Sequence, residues 1–143
     1  MNKKTIDRLI GIADEKLRSS GNVIQDGKIN SWYDGKTSAL GVSISLLGLK
    51  PAVIMYYKDK DKNENKNKNK TYHILDIIFN MIKKDSPTMV PNIDNTTGFL
   101  EYLKNMTDPK TQKRMTNLVL ECSIALKFVI RSYPQFEDKT KNN

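Results

Sequence analysis

The stretch from Ser38 to Tyr57 constrains this chain more than any other. An apolar run from Leu40 to Leu47 meets Gly48-Leu49, and a second apolar run from Ala52 to Tyr57 follows. Gly48 supplies the positive φ that ends a helix after Leu47. Pro51 sits in a first turn, where a missing N–H is tolerated. The expected product is a tight helical hairpin. Its two arms are too apolar to stand in water, so the remainder of the chain is expected to wrap them. No catalytic pattern lies nearby, and the leading signal is therefore architectural.

The rest of the chain reads as helices joined by short loops. Ile6, Leu9, Ile10, Ala13 and Leu17 recur at helical spacing within Thr5 to Arg18, with Lys4, Arg8, Glu15 and Arg18 on the opposite side and Gly21 closing the segment. Residues 23–30 read as a loop. A second helix begins around Ser31 to Tyr33 and runs to Leu47, and a third covers Leu49 to Lys58. A polar Lys/Asn-rich run follows. Over residues 58–70 we expect a flexible basic loop, because such a run has nothing to bury. Either it is an arm that touches RNA or it is a solvated insertion.

Thr71 to Lys84 returns to helix with Leu75, Ile78, Phe79 and Ile82 inward. Ser86-Pro87 and Val90-Pro91 mark a loop. Asn95 caps a short helix that ends by Met106, burying Phe99, Leu100 and Leu103. Asp108 as N-cap and Pro109 as first residue open the last helix, which reaches about Ser132 before Tyr133-Pro134 disfavours continuation. No segment shows sustained strand alternation. The expected fold is all-α: one single-domain bundle of about six helices over residues 1–136, with a frayed tail over 137–143.

The last helix is apolar on two sides. At about 100° per residue, Met115, Leu118, Val119, Cys122, Ala125, Leu126 and Val129 form one stripe, the core stripe. Leu120, Ile124 and Phe128 fall on the far side, close to Lys113, Lys127 and Arg131. Such a helix is either buried all round or offers its second face to a partner.

The chain of 143 residues carries a formal charge of +8 and a pI near 9.5. This balance favours an anionic partner, most simply nucleic acid; the other source of the charge is the Lys and Asn habit of an AT-rich genome. Phosphate contact needs only cations held on one surface. The candidates on expected helices are Arg8, Lys16 and Arg18 on the first, Lys50 at the hairpin joint, and Lys113, Arg114, Lys127 and Arg131 on the last. Trp32 and Tyr33 either stack on a base or belong to the core.

Bond-making chemistry has no visible seat. His73 is the only histidine and Cys122 the only cysteine, so neither a His-based triad, a zinc site nor an internal disulfide is expected. His73 reads as a surface or boundary residue and Cys122 as a buried thiol. Asp59, Asp61 and Glu64 lie in the polar run, without the fixed geometry acid–base catalysis needs. Neither a cofactor nor an enzymatic activity is expected. No signal segment and no run near the roughly 18 apolar residues of a membrane span is apparent, so a soluble, cytoplasmic protein is expected.

Gly41, Ile44, Gly48, Leu49, Pro51, Ala52 and Tyr56 resemble the central segment of the small all-α subunit of the Cmr complex, the type III-B CRISPR RNA-guided effector. The order of elements and the ending Lys127-Phe128 to Arg131-Ser132 extend the likeness over residues 1–135. Leu40 stands where that family has an aromatic residue before the glycine. The resemblance implies a non-catalytic role in antiviral defence. Several copies would stack along the repeat-containing backbone subunit and line the groove that holds the guide RNA–target RNA duplex, with Leu120, Ile124 and Phe128 as candidate protein contacts. Two alternatives stay open: the small helical subunit of a type III-A complex, and a helical protein-binding adaptor unrelated to nucleic acid.

Overall fold

Local signals set nearly every helix end. The computed structural model describes residues 2–58, 60 and 69–137. Helix α1 (Lys3–Ser20) starts at Asn2, whose side-chain oxygen accepts from the N–H groups of Lys4 and Thr5, and stops at Gly21 in the left-handed region. Helix α2 (Ser31–Leu47) is capped by Asn30, which accepts from Trp32 N–H at 3.0 Å. Gly48 then turns the chain at φ 93°, ψ 166°, and α3 (Leu49–Tyr57) follows at once. Helix α4 (Thr71–Asp85) precedes a 3₁₀ turn (Pro87–Met89). Asn95 caps α5 (Thr96–Lys104) through Gly98 N–H at 2.8 Å, and Asp108 caps α6 (Pro109–Ser132) through Thr111 N–H at 3.0 Å.

Helix α4 is the axis. Ile74, Leu75, Ile77, Ile78, Phe79, Met81 and Ile82 are all buried on it. The other helices surround it, each packed on the next in the order α1, α6, α2, α3, α5, and all five contact α4. The core runs through the whole ring, from Leu9, Ala13 and Leu17 of α1 to Phe99 of α5, whose ring lies 5.2 Å from that of Phe79. The chain is thus a single all-α domain with six helices among the described residues, as its periodicity predicts. No described helix is long and apolar enough to cross a membrane.

Three expectations change. First, the loop expected over 23–30 is a β-hairpin: β1 (Ile24–Gln25) pairs antiparallel with β2 (Lys28–Asn30), and β3 (Gln135–Phe136) adds in parallel with Ile29 opposite Gln135. Asp26 and Gly27 both take positive φ between β1 and β2, as a two-residue hairpin turn requires. Each strand is too short to show alternation. β3 ties the end of α6 to the start of α2, with Ile29 N–H on Pro134 O at 2.9 Å.

Second, the polar run after α3 ends against the body. Asn69 is buried, and the Lys70 N–H reaches the Tyr33 hydroxyl at 3.3 Å. The remainder of the loop expected over 58–70, and the tail beyond Glu137, lie outside the described residues.

Third, the hairpin is not wrapped. Val42, Leu46 and Leu47 of α2 and Ile54 and Met55 of α3 are exposed, Leu46 by 78%. The reason is that α4 takes the centre. Helices α2 and α3 are ring members, so each buries only the side facing α4 and its neighbours: Tyr33, Thr37, Leu40 and Ile44 on α2, and Leu49, Ala52, Val53 and Tyr56 on α3.

Candidate nucleic-acid and protein interfaces

Most of the candidate cations are held by the fold. Arg8 on α1 donates through Nε and Nη2 to the two carboxylate oxygens of Asp85, at 2.7 and 3.2 Å, tying α1 to the end of α4. Ser86 adds a third hydrogen bond to that carboxylate at 2.7 Å. The guanidinium first, and the Ser86 hydroxyl after it, hold Asp85 below the usual carboxylate range against the opposing effect of burial. Arg18 pairs with Asp14 one turn earlier. Asp14 also accepts the Tyr133 hydroxyl at 2.8 Å, locking the exit of α6 to α1, and Arg18 is the main cause of its lowered pKa. Lys16 lies 3.1 Å from Glu15.

Lys50 serves the backbone. Its ammonium donates to the carbonyls of Lys104 and Met106 at 3.3 and 2.7 Å, satisfying groups that the end of α5 leaves open. Arg131 reaches across to Asp34 of α2 at 2.9 Å. Lys113, Arg114 and Lys127 have no ion pair among the described residues.

The positions divide by face. On α6, Lys113, Asn117, Leu120, Ile124, Lys127 and Arg131 recur at alternating spacings of four and three, so they form one seam along the helix. The seam has an apolar middle and cationic ends. Leu120 and Ile124 are half-buried in it, because α1 and α2 flank the helix; Leu120 approaches Gly41 of α2 closely enough that a Cβ there would lie 4.0 Å away. Phe128 departs from the seam. It is 53% exposed and turns into a cleft with Ile10 and Gly11 of α1, together with Arg18 and Tyr133. Arg8 and Lys50 lie apart from the seam, at Asp85 and at the hairpin tip. The eight cations therefore do not line one groove: Lys113, Lys127 and Arg131 share a surface, and the rest are distributed.

The aromatic pair at the start of α2 is structural. Tyr33 is fully buried, with its hydroxyl 2.6 Å from Nδ1 of His73, which places His73 at the boundary between α2 and α4. Trp32 is half-buried edge-to-face on Tyr33, with the Lys36 ammonium 5.6 Å from its ring centre. Cys122 is buried, and desolvation pushes its thiol well above the ordinary range. Asp59, Asp61 and Glu64 lie outside the described residues. Among the described residues no group of acidic, His and Cys side chains is placed to hold a metal ion.

Sequence reasoning missed the open face of the hairpin. A signal was present: Gly35, Ala39, Val42 and Leu46 recur on the side of α2 opposite Tyr33, Thr37, Leu40 and Ile44. No family model, curated protein or solved structure matches this chain.

Proposed function

We propose that this chain is the non-catalytic small subunit of a type III-B CRISPR (Cmr) ribonucleoprotein, stacking in copies along the backbone subunit and helping to hold the guide RNA–target RNA duplex. The observation that carries the reading is the hairpin at Gly48. Leu49, Ala52 and Tyr56, which bear the resemblance, face the core, and Gly41 lies against α6. The conformation of Gly48, at positive φ with extended ψ, is open essentially to glycine alone. The α6 seam supports the role: an apolar middle suits a neighbouring subunit, and cationic ends suit phosphate. The mechanism is shape plus charge. Bond cleavage belongs to other subunits of such a complex.

One observation favours the adaptor reading instead. Arg8, Lys16, Arg18, Lys50 and Arg131 are committed to intramolecular partners, which leaves less charge for RNA. Expression of the tagged protein together with its genomic neighbours separates the two. The subunit reading expects co-purification with a guide RNA and several larger proteins, one of them repeat-containing. Recovery of protein partners free of RNA would favour the adaptor and sink the subunit.

A further inference from the structure

The exposed face of the α2–α3 hairpin has a composition that selects its partner. Among the described residues, Val42, Leu46, Leu47, Ile54 and Met55 account for all the large exposed apolar side chains other than Phe128. They are gathered on two adjacent helices and are not scattered singly, so the face marks an interaction site. Among the described residues its borders carry one sign of charge. No Asp or Glu occurs between Gly35 and Lys58 or between Pro109 and Leu120. Lys58 at the end of α3 is exposed, and so is Lys113 on the turn of α6 beside the hairpin tip; neither has an ion pair among the described residues. Among the described residues, the carboxylates on the neighbouring elements are occupied: Asp34 by Arg131, Asp108 by the N–H and hydroxyl of Thr111, and Glu101 by Lys104.

A discrete socket adjoins this face. At the hairpin tip, Gly48, Leu49, Lys50 and Pro51 meet Leu103 and Met106 around a cavity of about 320 Å³. The wall is mostly apolar, with Lys50, Gln112 and Thr116 as its polar members, and Gly48 contributes no side chain to fill it. Leu46 and Leu47 stand directly before it in the chain. A socket of this kind takes one anchoring side chain, the usual centre of a protein–protein contact, whereas a lipid surface needs only a continuous greasy face.

We infer that the hairpin face docks an amphipathic helix of another protein, one whose apolar stripe is flanked by Asp and Glu and which seats one large apolar side chain in the tip socket. A second copy of this chain is disfavoured. A two-fold contact through this face would bring like-charged rims together on molecules that each carry +8. This surface holds whether or not the chain belongs to a CRISPR effector.

The test uses two synthetic amphipathic helices about five turns long. Both carry a Leu face with one Phe; one is flanked by Glu and the other by Lys. Binding is measured by calorimetry against the full chain, beside vesicles of phosphatidylserine and phosphatidylcholine and sedimentation of the protein alone. The Glu-flanked peptide is expected to bind about tenfold or more tightly than the Lys-flanked one. Leu46→Ser/Leu47→Ser should abolish this binding with the helical circular-dichroism signal unchanged. Lys58→Glu/Lys113→Glu should reverse the order of the two peptides. Equal binding of both peptides, or binding of neither, overturns the inference. So does vesicle binding, or self-association, that disappears in Leu46→Ser/Leu47→Ser.

Discussion

The Arg8–Asp85 pair joins two elements 77 residues apart in sequence, and its asymmetry sets what it contributes. The Asp85 side chain is only 5% exposed, while the Arg8 guanidinium is 55% exposed. Removing the cation strands a nearly buried carboxylate, whereas solvent screens much of the direct attraction. Arg8→Ala should lower stability by about 1–2 kcal/mol near neutral pH. Arg8 depresses the folded-state pKa of Asp85, so this contribution is present above the unfolded value of about 3.9 and is lost as pH falls through the lower folded value. Urea denaturation of both proteins at neutral pH and in acid checks this: the gap must close in acid. A gap that persisted there would mean the side chain works by packing alone.

Two glycines make the opposite case at the same scale. Gly48 sits at φ 93°, ψ 166°, where a side chain is strained whatever the space around it. Gly48→Ala should destabilise by about 1–3 kcal/mol. Gly11 lies within α1 with nothing near its would-be Cβ, so Gly11→Ala should stabilise by up to about 1 kcal/mol through helix propensity. Thermal melts of the two variants should move in opposite directions.

At the scale of the element, α6 buries one stripe completely and leaves its other side only partly covered. Leu126 is fully buried among its neighbours, and Phe128 is half out in the α1 cleft. Leu126→Ala should cost about 2–5 kcal/mol, the usual range for a buried leucine. Phe128→Ser should change monomer stability by less than about 1 kcal/mol, while Ile124→Ser falls between the two because Ile124 is half-buried. The same denaturation series, followed by an assembly assay, separates the roles. If Phe128→Ser/Ile124→Ser collapses the monomer but leaves assembly of the surviving folded fraction intact, the far side of α6 is core and not contact.

The ends of the elements were legible because they depend on neighbours in sequence. Asp108-Pro109, Asn95, Gly21 and Gly48 each act within one turn of their own position, and the structure begins or ends a helix at each. Asp26-Gly27 carries the same kind of information for a hairpin. It was obscured because strands of two and three residues leave no alternation to read, and their third partner lies at Gln135, a hundred residues away.

For the whole molecule, the distribution of charge sets how RNA binding should behave. Lys113, Arg114 and Lys127 are the candidate cations without an ion pair among the described residues. With about three phosphates neutralised, affinity for single-stranded RNA should fall on the order of tenfold from 50 to 200 mM salt, by a slope near −0.7 per phosphate. Binding should be weak and indifferent to base sequence. Filter binding or fluorescence anisotropy at several salt concentrations measures the slope. A salt-independent affinity would remove phosphate contact as the mechanism.

The amino-acid sequence alone determined that this chain forms helices, where each begins and ends to within about two residues, and that α4 and the inner stripe of α6 are apolar enough to be core. Those properties follow from backbone geometry and side-chain period, which act over a few residues. Which helix occupies the centre was decided only by the tertiary structure. Three apolar helices, α2, α3 and α4, competed for that place, and only one can be surrounded on every side. With α4 inside, the hairpin keeps an open apolar face and five of the eight candidate cations find partners within the chain. The partners of Arg8, Lys50 and Arg131 lie on distant segments, and which apolar face stays open depends on which helix takes the centre, so local pattern does not decide either.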